Sequence, residues 1–417
     1  MLKLPSDGQD FVRIRSENYL YVDKTKAIQR IIGKGGCYFL SRPRRFGKSL
    51  LIGAMKEILL GHKDLFEGLW IATKEAEYQF KPYPVVKISL VGDFGNTEFL
   101  TQTLIGELRR AARENGLDGI INGQNPSEGV KDLIATLYET TNERVAVLID
   151  EYDGPIISQI NDIAQAEKNR DKLAAFCSGL KACADDGKLH LLFVTGVTKF
   201  ARASLFSAFN NLNDLTLSPE YGDICGFTRD ELDNYFEDYL PEILDYNKSR
   251  NFVPKSFTIE GLKTKILDYY DGYSWDGSAR VINPYTLINF LNKKEFNNYW
   301  HNSGVPSFLF NIIKNRPQDF TKYSANIIHK DMLDAVEIDK LWLIPLLFQT
   351  GYLTVDYRIN QNEYMLKIPN VEVESSFNSL LVQDLTKRND YEITDLAVKI
   401  GDALIKFDSD NLAVIPG

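Results

Sequence analysis

Three short clusters hold the residues that could do phosphate chemistry: Gly47-Lys48-Ser49, Asp150-Glu151 and Thr195. The first closes the stretch Arg42-Pro43-Arg44-Arg45-Phe46-Gly47-Lys48-Ser49, which follows the apolar run Cys37-Tyr38-Phe39-Leu40 and opens the amphipathic segment from Leu50 to Leu60. A loop between a strand and a helix suits anion binding. A glycine there lets backbone N–H groups turn toward phosphate oxygens, an ammonium neutralises the β- and γ-phosphates, and a hydroxyl ligates Mg²⁺. On this reading Arg44, Arg45, Phe46, Gly47, Lys48, Ser49 and Leu50 contact a nucleotide, and Ser49 also contacts the metal. The glycine that usually opens such a loop is replaced by Arg42, so the strict G-x-x-x-x-G-K-[ST] spacing is absent. The alternative is a basic loop that happens to contain Gly-Lys-Ser.

Val145-Ala146-Val147-Leu148-Ile149 runs straight into Asp150-Glu151, as expected of a buried parallel strand with carboxylates at its C-terminal end. That end of an open α/β sheet is where ligands bind. Asp150 suits the shell of a Mg²⁺ ion, and Glu151 can orient and deprotonate a water that attacks a γ-phosphate. A strand ending in a solvated acidic loop is the alternative. Leu189 to Gly196 is a further apolar run tipped by Thr195, placed to sense the γ-phosphate or its water, although a hydroxyl there could equally cap the next turn. The catalytic set is thus Lys48, Glu151 and Thr195, with Ser49 and Asp150 on Mg²⁺ and ATP or ADP as the nucleotide. Arg44, Arg45 and Arg202 are the candidates for a charge-stabilising arginine; Arg202 could reach the nucleotide of a neighbouring subunit in a homo-oligomer, or sit in a surface salt bridge.

The elements that must position these groups follow from periodicity. Pro84 to Leu90 reads as a strand, Thr97 to Asn115, Pro126 to Thr141 and Ala164 to Ala184 as helices, and Asp214 to Ser218 as a short last strand. Phe11 to Leu20 has no clear period. Tyr21-Val22-Asp23-Lys24-Thr25 leads into a helix patterned by Ala27, Ile28, Ile31 and Ile32, with Asp23 or Thr25 as its cap; the same segment could pack on a nucleotide base. The expected architecture over residues 1–225 is α/β: a P-loop NTPase core of the additional-strand type, five parallel strands with helices on both faces. From Phe227 the pattern turns helical, with starts at Thr228-Arg229-Asp230-Glu231 and Asn283-Pro284-Tyr285 and a turn at Asp271-Gly272-Tyr273, giving a helical lid over 226–330. Residues 331–417 read as a winged-helix-like domain: a helix from Asp339 to Thr350, a hairpin of Tyr352–Tyr357 and Glu363–Ile368, and a helix from about Glu372. The helix before the wing is mostly apolar and offers only Lys340 and Gln349 to a groove, which favours an intramolecular lid or a protein partner over sequence-specific DNA reading.

Composition narrows the field. With 417 residues, 44% of them hydrophobic and 25% charged, the chain can bury two or three cores, and a net charge of −9 gives no global basic field for nucleic acid. Four cysteines form no C-x-x-C pair and there are four histidines, so a zinc site is not expected. No run is long enough to span a membrane and the N-terminus lacks a signal-peptide pattern, so a cytoplasmic protein is expected.

Taken together, Tyr21-Val22-Asp23-Lys24-Thr25, the Arg42–Ser49 loop, Leu148-Ile149-Asp150-Glu151-Tyr152-Asp153, Val194-Thr195-Gly196-Val197-Thr198-Lys199-Phe200, Asp271-Gly272-Tyr273 and Gln349-Thr350-Gly351-Tyr352-Leu353 resemble the AAA-ATPase-like family of bacterial proteins over nearly the whole chain. An arginine at the first loop position is usual in that family. The resemblance implies ATP binding and hydrolysis. Members often continue into a PD-(D/E)XK nuclease-like domain, but no aspartate followed by a Glu-x-Lys strand is found here, so nuclease activity is not expected of these residues. The expected function is Mg²⁺-dependent ATP hydrolysis that switches the lid and winged-helix region against the core. The competing expectation is a nucleotide-loaded regulatory or DNA-associated module that does not hydrolyse, and small-molecule phosphorylation stands third.

Overall fold

The computed structural model describes residues 1–92, 94–199, 212–302, 326–334 and 343–386. Four largely apolar runs and the short polar run Leu212-Asn213-Asp214 become strands. These are β1 (Gly36–Ser41), β2 (Val85–Ser89), β3 (Val145–Asp150), β4 (Leu189–Gly196) and β5 (Leu212–Asp214), hydrogen-bonded in the order β2-β3-β4-β1-β5 with every pairing parallel. Strands covered on both faces need continuous hydrophobicity rather than alternation, and all six residues of β3 are buried. In this order β4 is inserted between the loop-bearing β1 and the acid-bearing β3, as expected for an additional-strand core.

Helices α1 (Phe11–Ser16) and α2 (Thr25–Lys34) precede β1, and α3 (Lys48–Leu59) leaves the loop with Leu51, Ile52, Met55, Ile58 and Leu59 buried. Further along the chain come α4 (Thr97–Glu114), α5 (Pro126–Thr141), α6 (Gly154–Ile157) and α7 (Ile163–Asp185). The sequence pattern missed α1, a short helix whose Phe11 and Ile14 are buried; Asp10 caps it by accepting the Arg13 N–H at 2.8 Å. At α2 the cap position belongs to Lys24, not to Asp23 or Thr25. Asp23 instead accepts the N–H groups of Thr25 at 2.8 Å and Trp70 at 2.6 Å, tying the helix start to a distant turn. The last strand lies two residues earlier than expected. Beyond it Leu215 still donates to Phe39, but Thr216 gives its N–H to Asp214 and accepts the Ser41 N–H on its hydroxyl, so side-chain bonds replace the ladder.

A second apolar core forms after residue 227 from α8 (Arg229–Phe236), α9 (Leu240–Ser249), α10 (Ile259–Tyr270) and α11 (Pro284–Lys293), with Leu20 and Val22 from the N-terminal segment packed into it. Thr228 and Glu231 make the reciprocal capping box and Asn283 caps α11, as read from sequence. Then come α12 (Tyr299–Asn302), β6 (Asn326–His329), α13 (Lys330–Asp334), α14 (Leu343–Thr350), β7 (Thr354–Arg358), β8 (Glu363–Lys367) and α15 (Val371–Thr386). The hairpin between two helices is present, and β6 adds a third strand that the sequence did not reveal, in the order β6-β8-β7. All of α14 except Ile344 is buried. Burial removes its surface from any groove. Residues 339–342 and the stretch Thr394 to Phe407 lie outside the described residues. Among the described residues, no helix is long and apolar enough to cross a membrane.

Two buried charged groups join these parts. Arg42, 0% exposed, donates to the carbonyls of Ser41 at 2.8 Å, Thr216 at 3.0 Å and Tyr221 at 2.9 Å, and its guanidinium lies 4.0 Å from the Trp275 ring centre. Glu372, also 0% exposed, accepts the Trp300 N–H at 2.7 Å and the Thr286 hydroxyl at 3.1 Å; burial pushes its carboxyl up to about 8.

Arg42→Gly would restore the common loop glycine yet strip three carbonyls of their donor and leave a void over Trp275. Calorimetry should show a loss on the order of 3 kcal/mol, and an unchanged melting profile would contradict this account. Glu372 gives a signed pH effect. Its folded value lies above the ordinary 4.5, so its contribution to stability is complete below 4.5 and is lost as pH rises through about 8. Glu372→Gln should therefore gain on the wild type by up to about 1.4 kcal/mol per pH unit across that window, measured by denaturant midpoints at pH 5, 6.5 and 8.

Candidate functional site

Register brings the chemistry to one edge of the sheet. Ser41 pairs with Gly196, Ile149 with Val194 and Ser89 with Asp150, so the C-terminal ends of β1, β4, β3 and β2 finish level. The insertion of β4 beside β3 puts the Thr195 hydroxyl 2.8 Å from Asp150 Oδ1, to which it donates, and both side chains are buried. The Thr195 carbonyl accepts the Tyr152 N–H at 3.0 Å, locking the turn that carries Glu151. Glu151 has a φ of 53°, a left-handed conformation uncommon for a glutamate.

Across β4 the loop follows β1. Gly47 sits at the N-cap of α3 with a φ of 88°, which a glycine adopts without a Cβ penalty. Lys48 is buried and its Nζ donates to the carbonyls of Arg42 and Pro43, each at 2.9 Å. Burial lowers its pKa, against the charges of Glu151, Asp150 and Asp153, which raise it. Burial likewise raises the Glu151 carboxyl, and Lys48 opposes that rise. The centre thus faces three carboxylates with one buried ammonium, an imbalance that a divalent cation would relieve. Ser49 is exposed at the first turn of α3 and Leu50 is half-buried beside it. Ser49 and Asp150 offer the hard oxygens Mg²⁺ takes, and among the described residues no group of three His, Cys, Asp or Glu side chains is placed to hold a metal ion by itself.

The structure separates the arginines and Phe46 by role. Arg44 is exposed, and its charge acts on Glu151. Arg45 donates to both oxygens of Asp7, at 2.8 and 3.0 Å, and lies over the Tyr285 ring. The Phe46 ring is buried edge-on against Tyr273 and Trp275, so a phosphate could meet only its backbone N–H. Arg202 lies outside the described residues.

Sequence reading gave no role to Asp153 or to the Thr198-Lys199 pair, although both lie in runs it singled out. Asp153, 1% exposed, accepts the N–H groups of Val197 and Thr198 and the Thr198 hydroxyl, the last two at 2.6 and 2.7 Å. This carboxylate fixes the chain as it leaves β4. Gly196 must be glycine there, because a Cβ would stand 2.5 Å from the Tyr152 ring. Lys199 pairs with Asp214 at 2.8 Å, and its N–H donates to Gln349 of α14 at 2.9 Å. The signal for Asp153 was its place three residues after Asp150; nothing local announced the partner on α14.

Beside the loop lies an apolar pocket open to solvent, bounded by Gly47 and Leu50, by Tyr21 and Val22 of the N-terminal segment, and by Phe227 and Pro284.

Comparison with known proteins agrees with this arrangement. The pattern of the family described as "Predicted AAA-ATPase" matches residues 5–206, which takes in the loop, the acidic strand and the Thr195 strand. The chain is also 34% identical over 385 residues to an "Uncharacterized protein in vnfD 5'region" of Azotobacter chroococcum mcd 1, an alignment covering 91% of this chain and 70% of that protein. With a relative this similar over nearly its whole length and a site built on the matched segment, the chain belongs to the predicted AAA-ATPase family.

Proposed function

We propose that the protein is a Mg²⁺-dependent ATPase that binds its nucleotide with the base in the apolar pocket and the phosphates on the Gly47-Lys48-Ser49 loop. One observation carries the reading: Gly47 and Leu50 border the pocket, while the next residue, Lys48, faces Asp150, Glu151 and Asp153. A nucleoside and a phosphate site are therefore contiguous. Tyr21 and Val22 then take the base-packing role expected of that segment.

Lys48 would leave the Arg42 and Pro43 carbonyls for the β- and γ-phosphate oxygens. Ser49 and Asp150 would hold Mg²⁺, which supplies charge neutralisation at the transferring phosphoryl group. Glu151, held at the strand end, orients the attacking water and takes its proton, while Thr195 keeps Asp150 in place and reports on the γ-phosphate. Pro284 belongs to α11 of the second core, so the base would touch both cores. Changes at Thr195 would reach α14 through the short path to Lys199 and its bond to Gln349. This is the route by which hydrolysis would switch the C-terminal region.

Phosphate release should require Mg²⁺ and vanish in Lys48→Ala together with ATP binding. Glu151→Gln should keep ATP binding and slow release by about 100-fold or more; retention of full turnover would eliminate Glu151 as the base, whereas a wild type that binds ATP and releases no phosphate would favour a nucleotide-loaded binding module. The pH profile carries a sign. The base must be ionised and burial raises its carboxyl, so turnover should fall on the acid side at a pH above the ordinary 4.5. A limb at or below 4.5 in kcat would assign the proton to another group.

A further inference from the structure

We propose that Trp300 is a positioning residue for the phosphate loop: from the C-terminal half of the chain its indole sets the orientation of the Arg44–Arg45 peptide and thereby the N–H that the loop presents to phosphate. The proposal extends the nucleotide reading of the site. Its geometric basis stands independently of it.

Trp300 Nε1 donates to the Arg44 carbonyl at 3.3 Å. A trans peptide is planar, with its C=O and the following N–H pointing in opposite directions. Holding the Arg44 oxygen toward Trp300 therefore turns the Arg45 N–H to the other side of the loop. The peptide needs holding, because Arg45 has a φ of 70°, a left-handed conformation that costs a non-glycine residue about 1 kcal/mol or more. A left-handed residue next to right-handed ones is also how successive backbone N–H groups converge on an anion.

Trp300 is itself seated from behind. Its N–H donates to Glu372 at 2.7 Å and its ring packs 5.1 Å from Tyr352. Gly351, with a φ of 94°, closes the remaining space: a Cβ there would stand 2.9 Å from Pro43 and 3.3 Å from the Trp300 ring. Loop residues Arg42, Pro43, Arg44 and Phe46 are thus each held by the C-terminal half, through Trp275, Gly351, Trp300 and Tyr273 respectively. Any partner that shifts α12 or α15 would change the loop through this contact.

The test is Trp300→Phe, which keeps a ring but removes the donor. Hydrogen exchange of the loop amides is followed by mass spectrometry, ATP binding by calorimetry and adenosine binding by ligand-observed NMR. Expected are faster exchange across residues 43–47 and ATP affinity weakened about 5- to 10-fold, with adenosine binding and the melting temperature unchanged. Unchanged loop exchange, or a parallel loss of ATP and adenosine binding with a lowered melting temperature, would overturn the proposal. If the wild type binds neither ligand, the nucleotide reading fails and loop exchange alone decides the positioning role. Gly351→Ala, whose Cβ would press on the Trp300 ring as well as on Pro43, should displace the indole and also speed loop exchange; if Trp300→Phe does not fold, normal exchange in Gly351→Ala overturns the proposal.

Discussion

Arg42 is taken entirely out of water, at a desolvation cost that only three carbonyl acceptors and the face of Trp275 offset. Much of the molecule depends on that arrangement. Its acceptors lie at the end of β1 and in the segment after β5, and its stacking partner Trp275 lies between α10 and α11. A loop that opened with glycine would have the flexibility to meet phosphate but no such anchor. Here the anchor is a side chain, and the left-handed backbone of the loop is concentrated at Arg45 and Gly47, its two residues with positive φ.

From this anchor the electrostatics of the centre follow. Asp150, Glu151 and Asp153 converge on Lys48, and their mutual repulsion is countered by different means. Thr195 takes one oxygen of Asp150, backbone N–H groups and a hydroxyl take Asp153, and Glu151 is left half-exposed with the nearby charges of Lys48 and Arg44. Asp153 is thereby structural in its bonding, Asp150 is oriented, and Glu151 keeps the freedom that the proposed proton transfer requires. The backbone around Glu151 is strained, which is common where a side chain is aimed at a reaction rather than at packing.

The C-terminal half is more than a cover. Leu346, Leu347, Phe348, Tyr352 and Val355 belong to the same apolar core as the strands, whereas α8 to α11 bury their own, entered by Leu20 and Val22. Leu20, Tyr21 and Val22 of the N-terminal segment line the apolar pocket, and Leu20 and Val22 also enter the helical core. Gln349 and Trp300 give this half two polar contacts with the central sheet and its loop, one at the exit of β4 and one at the loop.

The sequence already held the parallel core, the phosphate loop and the acidic strand, because each rests on local physics: strands covered on both faces must be continuously apolar, a phosphate loop must contain Gly-Lys-Ser between strand and helix, and capping residues such as Thr228 and Asn283 act within one turn. What escaped the sequence depends on residues far apart in the chain. That Arg42 faces the core and not a ligand follows from carbonyls more than 170 positions away. The strand β5 is short because Thr216 finds Ser41, and β6 pairs with β8, more than 30 residues further along the chain. The same holds for Asp153 with Thr198, and for Trp300 with Arg44. Buried polar groups must find partners wherever the chain brings them, and only folding brings these together.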